Sequence, residues 1–541
     1  MSKKTRADKR ARTTSKTTDA GARVKTTGEA LRTDEFAPEI SETTWRAASL
    51  LILAGACVLR LYDVSLTPLH HDEGVNGFFL TTLVRSGIYH YDPANYHGPV
   101  LYYFALVSQY VFGLNTFAIR FVPAMFGVAT IWLVLCLRKQ IGTAGALIAA
   151  ALIAVSPGAV YMSRYFIHES LFVFFTLGLV VAALRYYETT RAVYLLLASI
   201  SAALLFATKE TAIISAGVLV IALIATRVYG RLFGNALGVE IENERPREST
   251  ARFGGASRVA LLALIALAIF VFVNVLFYSS FFTYAKGVTD ALATFKVWAK
   301  TGTKDHVHVW SAYLSWLWQE ESLTLLLGVL GAGFAALQAR NRFAVFAASW
   351  AIGILSAYSL VPYKTPWLAL NFIVPLAIVG GYGINEIYRR CESANVRAAL
   401  LAFAGICVAF GLYQALSLNF RHYDDDTYPY VYAHTRRETV ALVAEIEKLA
   451  RRAPTGTDTS IAIASPDYWP LPWYLRDYKR VGYHVAIPKP VAGGGEPIVI
   501  GSETQEAELR ASLGDAYARV GSYVLRPGVN LVLYARRDLL K

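Results

Sequence analysis

The sequence predicts a polytopic α-helical membrane protein of about eleven spanning helices, with one further helix at the membrane interface and a C-terminal α/β domain outside the membrane. Three observations predict it. Of 541 residues, 55% are hydrophobic and only 17% charged, where a soluble chain of this length carries roughly a quarter charged residues. Apolar runs of roughly 18–20 residues recur, each long enough to cross ~30 Å of hydrocarbon. The Lys and Arg residues concentrate in the N-terminal tail and in alternate short loops, as membrane topology requires.

Residues 1–45 read as a disordered basic tail: ten Lys/Arg precede Thr33 and no aromatic residue precedes Phe36. The run from Arg46 to Leu66 has no small-x-small cleavage site, and Ala54-Gly-Ala-Cys57 lacks the Leu that would begin a lipoprotein box, so it is expected to stay as an uncleaved first helix. Further spans are expected near 119–137, 144–161, 167–184, 192–207, 211–228, 259–280, 320–338, 343–361, 367–386 and 398–418. The run 98–113 is apolar but short. As a full span it would put Arg138-Lys139 outside and invert every later loop; as an interfacial helix it leaves the loop charges consistent.

With a cytoplasmic N-terminus, the inner loops are Arg138-Lys139, Arg185 to Arg191, residues 229–258, Arg340 to Arg342 and Arg389 to Arg397, all marked by basic residues. The larger outer segments are 67–118, 281–319 and everything beyond about 419. All ten histidines then lie on the outer side or at its edge. The net charge of +13 therefore reflects topology, and no stretch interleaves basic and aromatic residues as a nucleic-acid surface would. Cys57, Cys136, Cys391 and Cys407 lie in or beside spans, which predicts neither a disulfide framework nor a cysteine metal site.

Residues 419–541 change character. Val440, Leu442, Val443, Ile446 and Leu449 have helical apolar spacing, while Ser460 to Ser465, Ile498 to Ile500 and Asn530 to Tyr534 read as short strands. Gly493-Gly-Gly495 reads as a loop. The aromatic run Asp467-Tyr-Trp-Pro-Leu-Pro-Trp-Tyr-Leu-Arg476 suits either stacking on a ligand or packing of this domain onto the membrane loops, the second being preferred.

Four outer segments concentrate ionisable groups at the membrane edge, where charge is costly unless used or solvated. They are His70-His-Asp-Glu73 with Tyr96-His-Gly-Pro99, Ser163-Arg-Tyr-Phe-Ile-His-Glu169, Thr208-Lys-Glu-Thr211, and Val361-Pro-Tyr-Lys-Thr-Pro-Trp367. Each alone reads equally well as an interface anchor or a snorkelling lysine. Together, cations and aromatic rings suit a lipid phosphate whose tail stays in the bilayer, and a carboxylate suits deprotonation of an attacking hydroxyl. A phosphate leaving group needs charge neutralisation rather than a general acid.

Asp72-Glu73, His97-Gly-Pro leading to Leu101, Asn115-Thr-Phe-Ala-Ile-Arg-Phe-Val-Pro-Ala-Met-Phe-Gly127, and Ser163-Arg-Tyr followed by an acid, with the soluble C-terminal domain, resemble the GT-C superfamily of membrane glycosyltransferases. The resemblance is to the branch of protein O-mannosyltransferases and aminoarabinose transferases, and within it to the flippase-activity-associated group. It covers most of the membrane part. It implies a polyprenyl-phosphate sugar donor, inverting transfer of a hexosyl or pentosyl group to a lipid, glycan or protein acceptor, and an outward-facing site. Asp72 matches the base, with Glu73 its neighbour and Glu169 the second-loop acid, where relatives often use Asp. Arg164, Lys209 and Lys364 would meet the phosphate, with His71, His97, Glu210 and Tyr363 as further substrate-binding residues. The Trp-Trp-Asp-Tyr-Gly signature is absent, which argues against asparagine-linked transfer. No cofactor is certain; a divalent metal on His70 and His168, with Asp72 and Glu169, is one expectation, and Asp305-His-Val-His308 is another place for it. The alternative reading is a non-catalytic flippase-associated or lipid-phosphate-binding membrane transport component. It expects ionisable residues deep within the spans, and few are present.

Overall fold

The computed structural model describes residues 40–95, 97–233, 253–301, 306–338, 341–485 and 495–541. Lipid offers no hydrogen-bond partner, so the apolar runs close their backbone bonds within each segment and form helices. Among the described residues eight are long and apolar enough to cross a membrane, the longest being Pro366–Arg390 and Ala394–Phe420. Two bent pairs raise this to ten: Thr143–Val155 with Pro157–Ser163, bent by 60°, and Ala312–Glu320 with Ser322–Leu337, bent by 111°.

All eleven expected segments are helical, and by length and apolar composition eight to ten of the described helices qualify as spans. Ala192–Phe206 has only 15 residues, about 22 Å at 1.5 Å per residue, yet it returns from the Thr189 end of its neighbour to Lys209, which meets Glu169 at the other end. Val100–Phe112, with 13 residues, starts at the Ala207 carbonyl and is followed by Leu114, whose carbonyl meets Arg476, so both its ends lie on the same side of the bundle. The expected loop 67–118 also contains a helix absent from the sequence reading, His71–Ser86, and 281–319 contains Lys286–Thr301 and Ala312–Glu320.

Leu370–Arg390 runs through the middle of the bundle. Small residues let its neighbours approach closely: a Cβ on Gly331 would lie 1.9 Å from the Val379 carbonyl oxygen, and one on Gly381 would lie 2.3 Å from that of Gly145. The bundle has two chemically distinct ends. Glu169 opens the helix Glu169–Thr189 at one end. Arg185, near its other end, joins Arg138, Lys139, Asn341 and Arg389 around a polar cavity of about 550 Å³. Four of the five basic loops therefore meet at the end away from Glu169.

Beyond Phe420 the chain forms a helix, Glu438–Arg452, and a five-stranded sheet of order β2-β1-β3-β5-β4. Its strands are β1 (Ile461–Ala464), β2 (Val481–His484), β3 (Ile498–Ser502), β4 (Tyr517–Arg526) and β5 (Val529–Arg536). β1 pairs in parallel with β2 and β3, while β5 is antiparallel to β3 and β4. β1, β3 and β5 fall on the three expected strands. β2 and β4 were not expected, because neither alternates cleanly between buried and exposed positions. The expected loop Gly493-Gly-Gly495 lies outside the described residues except for Gly495.

The aromatic run in this domain does pack it onto the membrane part. The Trp473 ring lies against Gly77, where a Cβ would come within 2.5 Å of it, and Pro470 lies equally close to Gly74. The Tyr474 hydroxyl accepts from the Leu69 N–H at 2.8 Å, and Arg476 donates to the Leu114 carbonyl at 3.1 Å. The two glycines thus make a flat face on the helix His71–Ser86 on which the soluble domain sits.

Candidate active site

His70 to Glu73 first of all starts a helix. The His70 Nδ1 accepts from the Asp72 N–H at 3.1 Å, and the Glu73 carboxylate accepts from the His70 N–H at 2.9 Å, forming a capping box. Successive residues on a helix are about 100° apart, so the two adjacent acids point in different directions. Asp72 faces a cavity of about 530 Å³. Its carboxylate is 40% exposed, lies 3.9 Å from His70 Nδ1, and has no hydrogen bond among the described residues. Glu73 is fully buried and receives Arg120 in a two-pronged pair, at 2.7 Å from Nε and 2.6 Å from Nη2, plus the Phe166 N–H at 2.8 Å. Every face of the Glu73 carboxylate is occupied, so its expected role beside the base is corrected to holding the first outer loop against the helix Thr116–Leu135.

The cavity gathers residues from every outer segment named in the sequence. His70, His71, Asp72 and His97 come from the first, His168 and Glu169 from the second, Lys209 and Glu210 from the third, and Tyr363 from the fourth. His97-Gly-Pro99 has a steric reason: Gly98 donates to the Thr208 carbonyl at 3.1 Å, and a Cβ there would lie 2.0 Å from the Ala207 carbonyl oxygen. Only glycine permits that approach, and it brings His97 Nδ1 to 3.0 Å from Glu210 Oε2. Beside it Lys209 Nζ lies 2.5 Å from Glu169 Oε1, and the rings of His97 and His168 are 4.8 Å apart.

Burial alone would push the Lys209 ammonium toward neutrality, but Glu169 and Glu210 beside it outweigh that and hold it above the usual lysine range. His168 is driven well below the usual histidine range, chiefly by burial and then by His97 and Lys209. Burial likewise lowers His71 to about 4, against an opposing pull from Asp72. The cavity therefore combines one carboxylate without a hydrogen-bond partner among the described residues, one lysine held cationic by two acids, and two imidazoles, His71 and His168, held toward neutrality by burial.

Two expected phosphate partners do not reach it. Arg164 donates to the carbonyls of Leu59, Tyr62 and Asp63 at 3.2, 2.7 and 2.7 Å. It thereby caps the C-terminus of the first helix, where unpaired carbonyls attract a cation. Lys364 is buried, with its ammonium on the Val361 carbonyl at 2.6 Å and the His308 carbonyl at 3.4 Å. Both were expected in the site because sequence shows a charge at the membrane edge but not the carbonyls that take it up.

The expected metal site on His70 and His168 does not form. With Nδ1 accepting from Asp72, His70 places its proton on Nε2, 3.2 Å from the Tyr432 carbonyl, and His168 Nε2 faces the Gly98 carbonyl at 3.2 Å. Among the described residues no group of three or more His, Cys, Asp and Glu gathers as metal ligands. Asp305, from the second expected place, lies outside the described residues, and His306 meets the Tyr432 hydroxyl at 2.9 Å.

The sequence reading missed Asn76, Asn95, Tyr432 and Arg526 as cavity residues. Asn76 lies one turn after Asp72 on the same helix, a spacing that would have found it once that helix was recognised. Tyr432 and Arg526 come from the chain beyond residue 420, and no local pattern points to either.

Residues 96–238 match the family model described as dolichyl-phosphate-mannose-protein mannosyltransferase. No curated protein sequence matches the chain. Among solved structures it is similar to ArnT from Cupriavidus metallidurans in the apo state, with a TM-score of 0.61 at 16% identity over 90% of this chain and 98% of that one. The same protein bound to undecaprenyl phosphate gives 0.58 at 16% identity, over 91% and 98%. The archaeal oligosaccharyltransferase AglB from Archaeoglobus fulgidus, in complex with an inhibitory peptide and a dolichol-phosphate, gives 0.55 at 13% identity over 85% and 70%. The chain has the GT-C fold.

Proposed function

We propose that this GT-C protein transfers a sugar from a polyprenyl-phosphate donor to a hydroxyl of a lipid, glycan or protein acceptor, with inversion, on the outer face of the cell membrane. The observation that carries this reading is Asp72, a carboxylate without a hydrogen-bond partner among the described residues, facing the same cavity as the Lys209–Glu169 pair. In the proposed reaction the acceptor oxygen attacks the anomeric carbon from the side opposite the phosphate. The bond to the phosphate oxygen breaks with its electron pair, and Asp72 takes the acceptor proton. The cationic groups of the cavity, Lys209 among them, offset the charge left on the phosphate, which is why no general acid is needed. The undecaprenyl phosphate bound by the similar ArnT structure supports the class of donor. The meeting of Arg138, Lys139, Arg185 and Arg389 at the end away from Asp72 supports a cytoplasmic N-terminus and an outward-facing C-terminal domain.

The test is sugar transfer by the purified protein in lipid, over a panel of polyprenyl-phosphate sugars and extracted membrane acceptors, with D72N alongside. A general base contributes roughly 10²–10⁴-fold, so wild-type turnover that falls by that factor in D72N is expected. Lipid donor bound by both proteins and turned over by neither, while a control transferase uses the same panel, would replace this reading with the lipid-phosphate-binding one.

A further inference from the structure

Arg526 is the last residue of β4 and is brought to the cavity by two local features. Pro527-Gly528 joins β4 to β5 as a two-residue turn, with Gly528 at φ +79°, a residue order suited to a tight reversal. Between Val524 and Arg526 the register with β5 slips by one residue, and such a bulge re-aims the side chain that follows it. Arg526 ends at the cavity wall, only 18% exposed, having crossed from the soluble domain to the helix that carries Asp72.

Its bonding leaves capacity for a ligand. Nη1 donates to His71 Nδ1 at 3.1 Å and Nη2 pairs with Asp467. Because a guanidinium can only donate, His71 must be the neutral tautomer with its proton on Nε2. Two of the five guanidinium N–H groups are thereby used. Among the described charged residues lining the cavity, Asp72, Glu169 and Glu210 face Lys209 and Arg526, and Lys209 is already bound to Glu169. Among the described residues, an anion entering this cavity meets in Arg526 a cation whose fork is partly open, and that cation belongs to the C-terminal domain.

We propose that Arg526 binds the phosphate of the lipid donor, so that the site is complete only when the C-terminal domain is seated on Gly74 and Gly77. This rests on the lipid-phosphate reading of the cavity and adds to it the residue and domain that supply the charge. Seating of the domain and binding of the lipid are then reciprocal: each strengthens the other by the same factor.

The experiment measures binding of undecaprenyl phosphate to the full-length protein in lipid nanodiscs, for wild type, R526Q, R526K, D467N and D72N, with thermal unfolding of each. R526Q is expected to weaken binding about ten- to a hundred-fold, the loss of one charge-assisted contact. R526K is expected to fall between, keeping the charge without the fork, and D467N to bind more tightly, because Asp467 no longer competes. D72N should retain binding. An R526Q protein that unfolds like wild type and binds the lipid equally well overturns the proposal, as does D467N weakening the binding. Should R526Q not fold, R526K and D467N decide between the same two outcomes. Loss of binding in R526Q, with no sugar transfer by wild type, would keep this proposal and remove the transferase reading.

Discussion

Asp72 and Glu73 are neighbours in the chain with opposite physical situations, so matched substitutions should separate them. Glu73→Gln keeps the shape of the side chain but removes the charge that Arg120 faces at 2.6 and 2.7 Å, with both partners fully buried. Arg120 would remain charged, held only by the carbonyls of Val64, Thr67 and Pro68. Breaking a buried pair by removing one partner costs about 3–5 kcal/mol, and the bond from the Phe166 N–H weakens as well. Asp72→Asn removes no hydrogen bond among the described residues from a side chain 40% exposed, so its effect on stability should stay within about 0.5 kcal/mol. The assay is thermal unfolding in one detergent, followed by intrinsic tryptophan fluorescence, with lipid-donor turnover measured below the transition. Glu73→Gln should lower the unfolding temperature by many degrees and retain turnover wherever it remains folded. Asp72→Asn should unfold like wild type and lose turnover by about 10²–10⁴-fold. A Glu73→Gln protein as stable as wild type but inactive would refute the division of roles.

Three further outcomes follow from the same geometry. Arg164→Gln should lower the unfolding temperature, because three carbonyls at the end of the first helix lose their donor at about 1–3 kcal/mol in total, while the donor KM stays unchanged; a raised KM without loss of stability would return Arg164 to the site. Gly98→Val should displace the His97 segment from Ala207, 2.0 Å from the new Cβ, and reduce transfer by about a hundredfold, the scale of an ångström's misplacement; wild-type kinetics would show that the close approach is not required. His71 is held at about 4 by burial, below its unfolded value of about 6.5. The unfolded chain therefore takes up the proton first, and the stability contributed by neutral His71 is complete above about 6.5 and falls away as pH drops toward 4. Unfolding temperatures across this window should show that component in wild type and lose it in His71→Gln; identical profiles would remove His71 from the domain contact.

Much of the fold was legible because hydrophobic length and loop charge act locally. Apolar runs become helices wherever lipid is the solvent, and each expected segment is helical. The run at 98–113 forms the short helix Val100–Phe112, since the length of an apolar run is a property of sequence. The segments of the site were legible for a related reason: a charge at the membrane edge is conspicuous whatever its use. Its use is what sequence withholds. Arg164 and Lys364 carry the same signal as Lys209, yet their charge is taken up by backbone carbonyls whose positions depend on how the helices pack.

By itself, then, the sequence determined the membrane class, the helical segments, the change of character beyond residue 419 and the segments from which the cavity is built. Only the tertiary structure decided which charges face one another. The helix His71–Ser86 turns Asp72 to the cavity and Glu73 to Arg120, a choice made by a 100° step that a two-letter motif does not display. Arg526 reaches His71 from 455 residues away, because Gly74 and Gly77 leave room for Pro470 and Trp473 to seat the domain. Local free energies write the segments, but a site at the meeting of several of them exists only where packing brings their ends together.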